Sequence, residues 1–425
     1  MNINLIKIIY QIKMKILEYI FLFLLVSVNT LEATNGYNIV LKDSSSTIDG
    51  STIGSTEING VSYSSGILSI TKEGTFILSG TLNGQIKINT SGQVTLVLNG
   101  VTIKNSNSNA ILVSKAYELD SSSFNYNTAK SLDATKAGVI IVIADGTENT
   151  INGAKSSGAD GAIHTAVSLL VTGETKGDGI LNVIGTNEGI ETEKHFFMNG
   201  GILKISAQDD AINANNDRAC IVIISGGKLL INSGLGNEGD GVDSNGYILV
   251  NGGEIISAAK PGADTGLDSD QGLIIDGGKV FSVGSSMEMA STSSSQPTMN
   301  LIFNSNVAAT STVTIKDSDG NEIISYCANS ADFISGTDRR TYFAAVVSHP
   351  SFKANGVYHI FMDGTQLGYT GNEGGHGPGG QGGPGGHGGP GGQGGSGSGS
   401  SSGEIKTDFT LGSSATNFSG VQKAL

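Results

Sequence analysis

At 425 residues the chain can bury a sizeable core, yet it has no Trp, 6% aromatic residues and 63 Gly. That make-up suits many short strands joined by tight turns rather than packed helices. A net charge of −14 disfavours nucleic acid and anionic membranes, whose binding takes patches of Lys and Arg, and it favours bound cations.

Residues 1–33 read as a secretory signal, with Lys7, Lys13 and Lys15 ahead of an apolar run from Tyr19 to Val28 and a small-residue cleavage site at Leu31-Glu32-Ala33. A run of roughly ten apolar residues is too short for a bilayer, which takes about 20, so a secreted, extracellular protein without a membrane anchor is expected. From Tyr37 onward the chain is β-like, as in Ile67–Ile70, Gly74–Gly80, Gln85–Asn89 and Val94–Gly100, the last three ending at turn-forming residues. Residues 113–138 break the pattern and read as an inserted loop within a solenoid spanning 34–298. The rhythm then changes, and residues 299–370 are expected to form a small antiparallel β cap over the last rung. Residues 371–403 are nearly all Gly with Pro, Gln, His and Ser, a flexible loop, after which 404–425 can return as a cap strand. Cys220 and Cys327 are expected as two separate thiols. Asn89 and Asn417 head glycosylation acceptor triplets.

One acidic phrase recurs across the middle of the chain. It reads Asp160-Gly161-Ala162-Ile163-His164, then Glu188-Gly189-Ile190-Glu191-Thr192-Glu193, then Asp209-Asp210-Ala211-Ile212-Asn213-Ala214-Asn215. Asp240-Gly241-Val242-Asp243-Ser244-Asn245 and Asp264-Thr265-Gly266-Leu267-Asp268-Ser269-Asp270 complete it, with the aliphatics 27, 22, 30 and 25 residues apart. Between phrases stand Gly200-Gly201, Gly226-Gly227, Gly252-Gly253 and Gly277-Gly278, each before a short apolar run. Such a period fits a parallel β-solenoid in which each repeat is one coil. Stacking places equivalent residues about 4.8 Å apart, so the aliphatics form an inward ladder and the Gly pairs a corner ladder.

The acids on the other face define a candidate metal site: Glu188, Glu191, Glu193, Asp209, Asp210, Asn213, Asp240, Asp243, Asn245, Asp264, Asp268 and Asp270. Ca²⁺ takes 6 to 8 oxygen ligands from carboxylates, amides and carbonyls, which this column offers. Stacked carboxylates repel by about 4 kcal/mol at 4 Å and an effective dielectric near 20, and a cation removes that repulsion. Asp and Asn are also turn formers, which explains single positions but not acid at one register over several coils. Glu191 with Glu193, Asn213 with Asn215, Asp243 with Asn245 and Asp268 with Asp270 are expected to point outward together. His164 is expected as an outward ladder residue rather than a ligand. Tyr247 and the Phe196-Phe197 pair are the aromatics near the column.

The stretch Gly74 to Ile88, with Val94 to Ile103, the Gly-Gly corners and the Asp-Gly-(Ile/Val)-Asp phrases, resembles the family labelled carbohydrate-binding domain-containing protein. Thr314 to Ser325 and Gly356 to Ile360 are similar to its C-terminal segment. The resemblance implies an all-β, right-handed parallel β-helix of pectate-lyase type that binds Ca²⁺ and cell-wall polysaccharide, cellulose or pectin. The expected reading is a monomeric polysaccharide-binding protein. A Ca²⁺-dependent lyase working by β-elimination is the alternative, with Lys194, Arg218 or Lys260 as base; a structural or adhesive surface protein is a third.

Overall fold

The computed structural model describes residues 36–424 apart from 120–125, 217–219, 261, 263, 287, 329–340 and 372–403. The chain divides into two units, Met1–Thr34 and Asn35–Leu425. The first unit, with the expected signal segment, and nearly all of the Gly-rich stretch lie outside the described residues. Among the described residues the structure is all-β but for one helical turn at Tyr126–Ala129 and a 3-10 turn at Ala134–Lys136. No described helix is long and apolar enough to cross a membrane.

The strands follow from sequence alternation. In Ile202–Ala207 every second residue is buried, and the same two-residue rhythm runs through Glu148–Gly153 and Ile180–Gly185. Such strands pair in parallel and in register with the next repeat. One ladder runs Val139–Ile143, Leu169–Gly173, Phe196–Met198 and Ile221–Ile224. A second runs Glu148–Gly153, Ile180–Gly185, Ile202–Ala207 and Lys228–Asn232. Two long strands, Val94–Asn105 and Tyr247–Ala258, bend midway and pair with both ladders, which closes a ring of ten parallel strands. A separate sheet of nine strands carries the acidic phrases and is parallel beyond its first hairpin. The parallel, coil-upon-coil pairing expected from the repeat is therefore present, as a ten-strand ring with further strands.

The second Gly of each corner pair holds the left-handed backbone: Gly201, Gly227, Gly253 and Gly278 have φ of 76°, 81°, 82° and 87°. A Cβ on Gly227 would stand 2.6 Å from the Gly201 carbonyl oxygen, so both conformation and coil contact demand glycine there.

The C-terminal strands do more than cover the last rung. Thr341–Ser348 pairs antiparallel with Gly272–Gly284 and with Thr298–Ala308, and Ala415–Lys423 runs parallel beside the latter. Leu230, Ile256 and Phe281, which alternate with the inward residues of their strands, lie in a second core with Met299, Leu301, Tyr342 and Phe418. The cap thus packs on one outer wall of the coils. The strand Ile111–Lys115 runs into the start of the stretch expected as a loop, and from that stretch Lys130 reaches Asp276 on a distant coil at 2.5 Å. Lys228 and Lys279 both approach Glu254, at 3.4 and 3.8 Å. Cys220 and Cys327 are both free thiols.

Gly227→Ala should destabilise the fold by roughly 1–3 kcal/mol, the usual cost of a strained backbone position. Urea unfolding measures this, and an unchanged midpoint would contradict the corner assignment.

Candidate functional site

Five short strands carry the acidic phrases: Gly161–Thr165, Glu188–Thr192, Ile212–Ala214, Val242–Ser244 and Asp268–Ser269. Their register aligns Ile163, Ile190, Ile212 and Val242 in one row, all fully buried in the core. The next position forms the row His164, Glu191, Asn213, Asp243 and Asp268. Opposite Glu188 stands Gly161 rather than Asp160, so the acid preceding the strand is not at one register in every coil.

Neighbouring coils are tied through these side chains. Asn213 Nδ2 donates to Glu188 Oε1 at 3.0 Å and to Asp210 Oδ2 at 3.2 Å. The Asp240 amide donates to Asp210 Oδ1 at 2.7 Å, the Thr265 amide to Asp240 Oδ1, and the Gly239 amide to Asp264 Oδ2 at 3.0 Å. Asn245 Nδ2 donates to the Asn215 carbonyl at 3.0 Å. Glu191 is the most fully engaged: Oε2 accepts from the Asp160 and Gly161 amides and meets His164 Nδ1 at 2.6 Å, while Oε1 accepts from Asn215 Nδ2.

The expected outward-pointing face is in fact a recessed one. Glu188 and Glu191 are only 6% and 5% exposed, Asp209, Asp210, Asn213, Asp240, Asp243, Asn245, Asp264, Asp268 and Glu193 are half-buried, and only Asp270 is exposed. His164 corrects its reading as a plain outward residue, because it is buried against Glu191. Phe196 and Phe197 are buried and offer no stacking platform. Glu288, which no repeat contains, joins the lower end of the column: its Oε1 accepts from Ser269 Oγ at 3.4 Å and from the Leu273 amide at 3.2 Å.

Crowding shows in the protonation of these acids. Burial, then the charges of Glu191, Asp210 and Asp160, push Glu188 up to about 10. Burial and Asp268 push Asp240 to about 9, and burial with Asp268 and Asp270 pushes Asp243 to about 7. Burial followed by the Asp243 charge holds Asp210 well above the usual carboxylate range. Asp209, Asp264 and Asp268 are raised, chiefly by burial, and Glu288 reaches about 7 by burial and the Asp268 charge. In Glu191 burial is outweighed by His164 and the two amides, which lower it.

Three oxygens here are buried without a hydrogen-bond partner: Glu188 Oε2, Asn213 Oδ1 and Thr265 Oγ1. Buried polar atoms are nearly always satisfied, so oxygen acceptors left over among mutually repelling carboxylates fit a divalent oxygen-seeking cation such as Ca²⁺.

A family model described as carbohydrate-binding domain-containing protein matches residues 64–131 and 118–332, more than half of the chain, and the chain belongs to that family. A solved structure titled as a polysaccharide lyase-like protein from C. thermocellum, a gadolinium derivative, aligns at 23% identity and a TM-score of 0.41. That alignment covers 57% of this chain and 93% of the other. No curated protein matches.

Glu188 and Asp240 hold their protons far above the ordinary Asp and Glu values near 4, so unfolding releases protons and stability falls as pH rises toward about 9 to 10. His195, driven down to about 4 chiefly by burial, is neutral in both states above about pH 7 and does not oppose this. In EDTA the melting temperature should therefore drop between pH 7 and pH 9. A melting temperature that is flat or rises over that interval would contradict the crowded-acid picture.

Proposed function

We propose that this member of the carbohydrate-binding domain-containing family is a secreted, monomeric, Ca²⁺-dependent polysaccharide-binding protein whose coils wind as a right-handed β-helix. The observation that carries the reading is the set of three orphaned buried oxygens, Glu188 Oε2, Asn213 Oδ1 and Thr265 Oγ1, among raised carboxylates. Glu188, Asp210, Asn213, Asp240, Asp243 and Asp268 would hold the cation, with Asp209, Asp264, Asp270 and Glu288 contributing charge around them. Bound Ca²⁺ would offset the repulsion along the column and could bridge these carboxylates to those of a uronate polymer. A bare acidic face would repel such a polymer.

Neutral glucan requires a stacking surface, and with Phe196 and Phe197 buried the half-buried Tyr247 is the aromatic left beside the column. That favours polyuronate (pectin-type) chains over cellulose as the ligand. Elimination chemistry finds less support. Lys260 Nζ donates to the Gly236 carbonyl at 2.9 Å and to that of Asn237, an arrangement that braces a loop. Lys194 acts electrostatically on Glu118 and His195, and Arg218 lies outside the described residues.

EDTA-treated protein titrated with CaCl₂ should give binding heat and a higher melting temperature, and Asp243→Ala/Asp268→Ala should weaken the affinity by roughly tenfold or more, about 1.4 kcal/mol. Pectate gels should retain the protein with Ca²⁺ and release it with EGTA, without growth of absorbance near 235 nm on polygalacturonate. Absence of calcium heat would end the calcium reading, and growth at 235 nm would replace binder with lyase.

A further inference from the structure

The row that begins at His164 is oxygen-only from Asn213 onward, and its head differs in kind. His164, Glu191 and Glu193 each place one potential ligand atom within 4.8 Å of the other two. His164 and Glu191 are almost fully buried, and their 2.6 Å contact runs through His164 Nδ1. Glu191 is itself fixed, since the Asp160 and Gly161 amides and Asn215 Nδ2 all donate to it. An imidazole held in this way by a carboxylate has a set ring orientation, the device by which metal-binding histidines are positioned. A second observation points to a missing ligand at this end. Glu188, 6% exposed and paired across from Gly161 of the His164 strand, keeps Oε2 buried and unpartnered, and the largest charge acting on it is that of Glu191.

Donor type decides which cation belongs here. Ca²⁺ takes oxygen, whereas a nitrogen donor with carboxylates suits divalent first-row transition metals. We propose that His164, Glu193 and the ring-fixing Glu191 form a separate site for one such ion, of the Zn²⁺ or Mn²⁺ kind, at the head of the acidic column. This proposal shares the unpartnered Glu188 Oε2 with the calcium reading, and the two are told apart by their separate heats.

The test is calorimetric titration of the full, EDTA-treated chain with ZnCl₂ in saturating Ca²⁺. His164→Asn and Glu193→Gln are compared with the unaltered protein. One Zn²⁺ per chain should bind at this site, and both variants should weaken that binding tenfold or more while leaving the Ca²⁺ heat unchanged. Zinc heat from His376 and His387 of the Gly-rich stretch would persist equally in both variants and so would be told apart. Zinc binding that is abolished by Ca²⁺, or that is the same in both variants as in the unaltered chain, would overturn the proposal. If His164→Asn fails to fold by circular dichroism, Glu193→Gln decides alone. Loss of calcium heat with zinc heat intact would sink the calcium reading and leave this one standing.

Discussion

Everything in this chain depends on parallel strands stacked in register, which set each residue about 4.8 Å from its counterpart in the next coil. For apolar side chains the constraint is favourable: Ile163, Ile190, Ile212 and Val242 form a continuous buried row. For charged side chains it is costly, because like is set upon like. The chain answers that cost differently on two ladders. Where Lys228, Glu254 and Lys279 stack, charge alternates from coil to coil and each Lys faces a carboxylate. Along Asp210, Asp240, Asp243 and Asp268 it does not alternate. Amides intervene at Asn213, Asn215 and Asn245, yet the acids remain crowded enough that burial and mutual charge raise them. Since the fold tolerates alternation elsewhere, the unrelieved acid is a property of this face and not of solenoid geometry.

The repeat was legible in the sequence for the same reason. Register demands equal inward residues at equivalent positions, and the Gly corners demand left-handed backbone, so both leave periodic traces that survive variable coil length. Burial of the acids leaves no such trace. Glu191 reads as solvent-facing from strand alternation, yet it and Glu188 are only 5% and 6% exposed. Glu288 was invisible because it belongs to no repeat, and the pairing of Lys130 with Asp276 because it joins segments far apart in the chain. The Phe196-Phe197 pair shows a related limit. Alternation puts one ring inward and the other outward, yet both are buried, so an outward position on a strand is not an exposed one.

The cap, expected as a lid on the last rung, is tied to the site itself. Two residues beyond Glu288, the Ala290 amide donates to Asn300 Oδ1 at 3.1 Å, and Asn300 Nδ2 returns a bond to the Ala290 carbonyl at 3.1 Å. Asn300 Nδ2 also donates to Asn417 Oδ1 at 2.8 Å, on the strand that follows the Gly-rich stretch. The loop that carries Glu288 is thus tied to the cap at Ala290, while the carboxylate itself is held by Ser269 and Leu273 of the coils. Burial first, then the charges of Asp268 and Asp270, raise this carboxyl to about 7. The cap meets the coils a second time through the core it shares with Leu230, Ile256 and Phe281, so the wall beside the column and the loop at its end rest on the same strands.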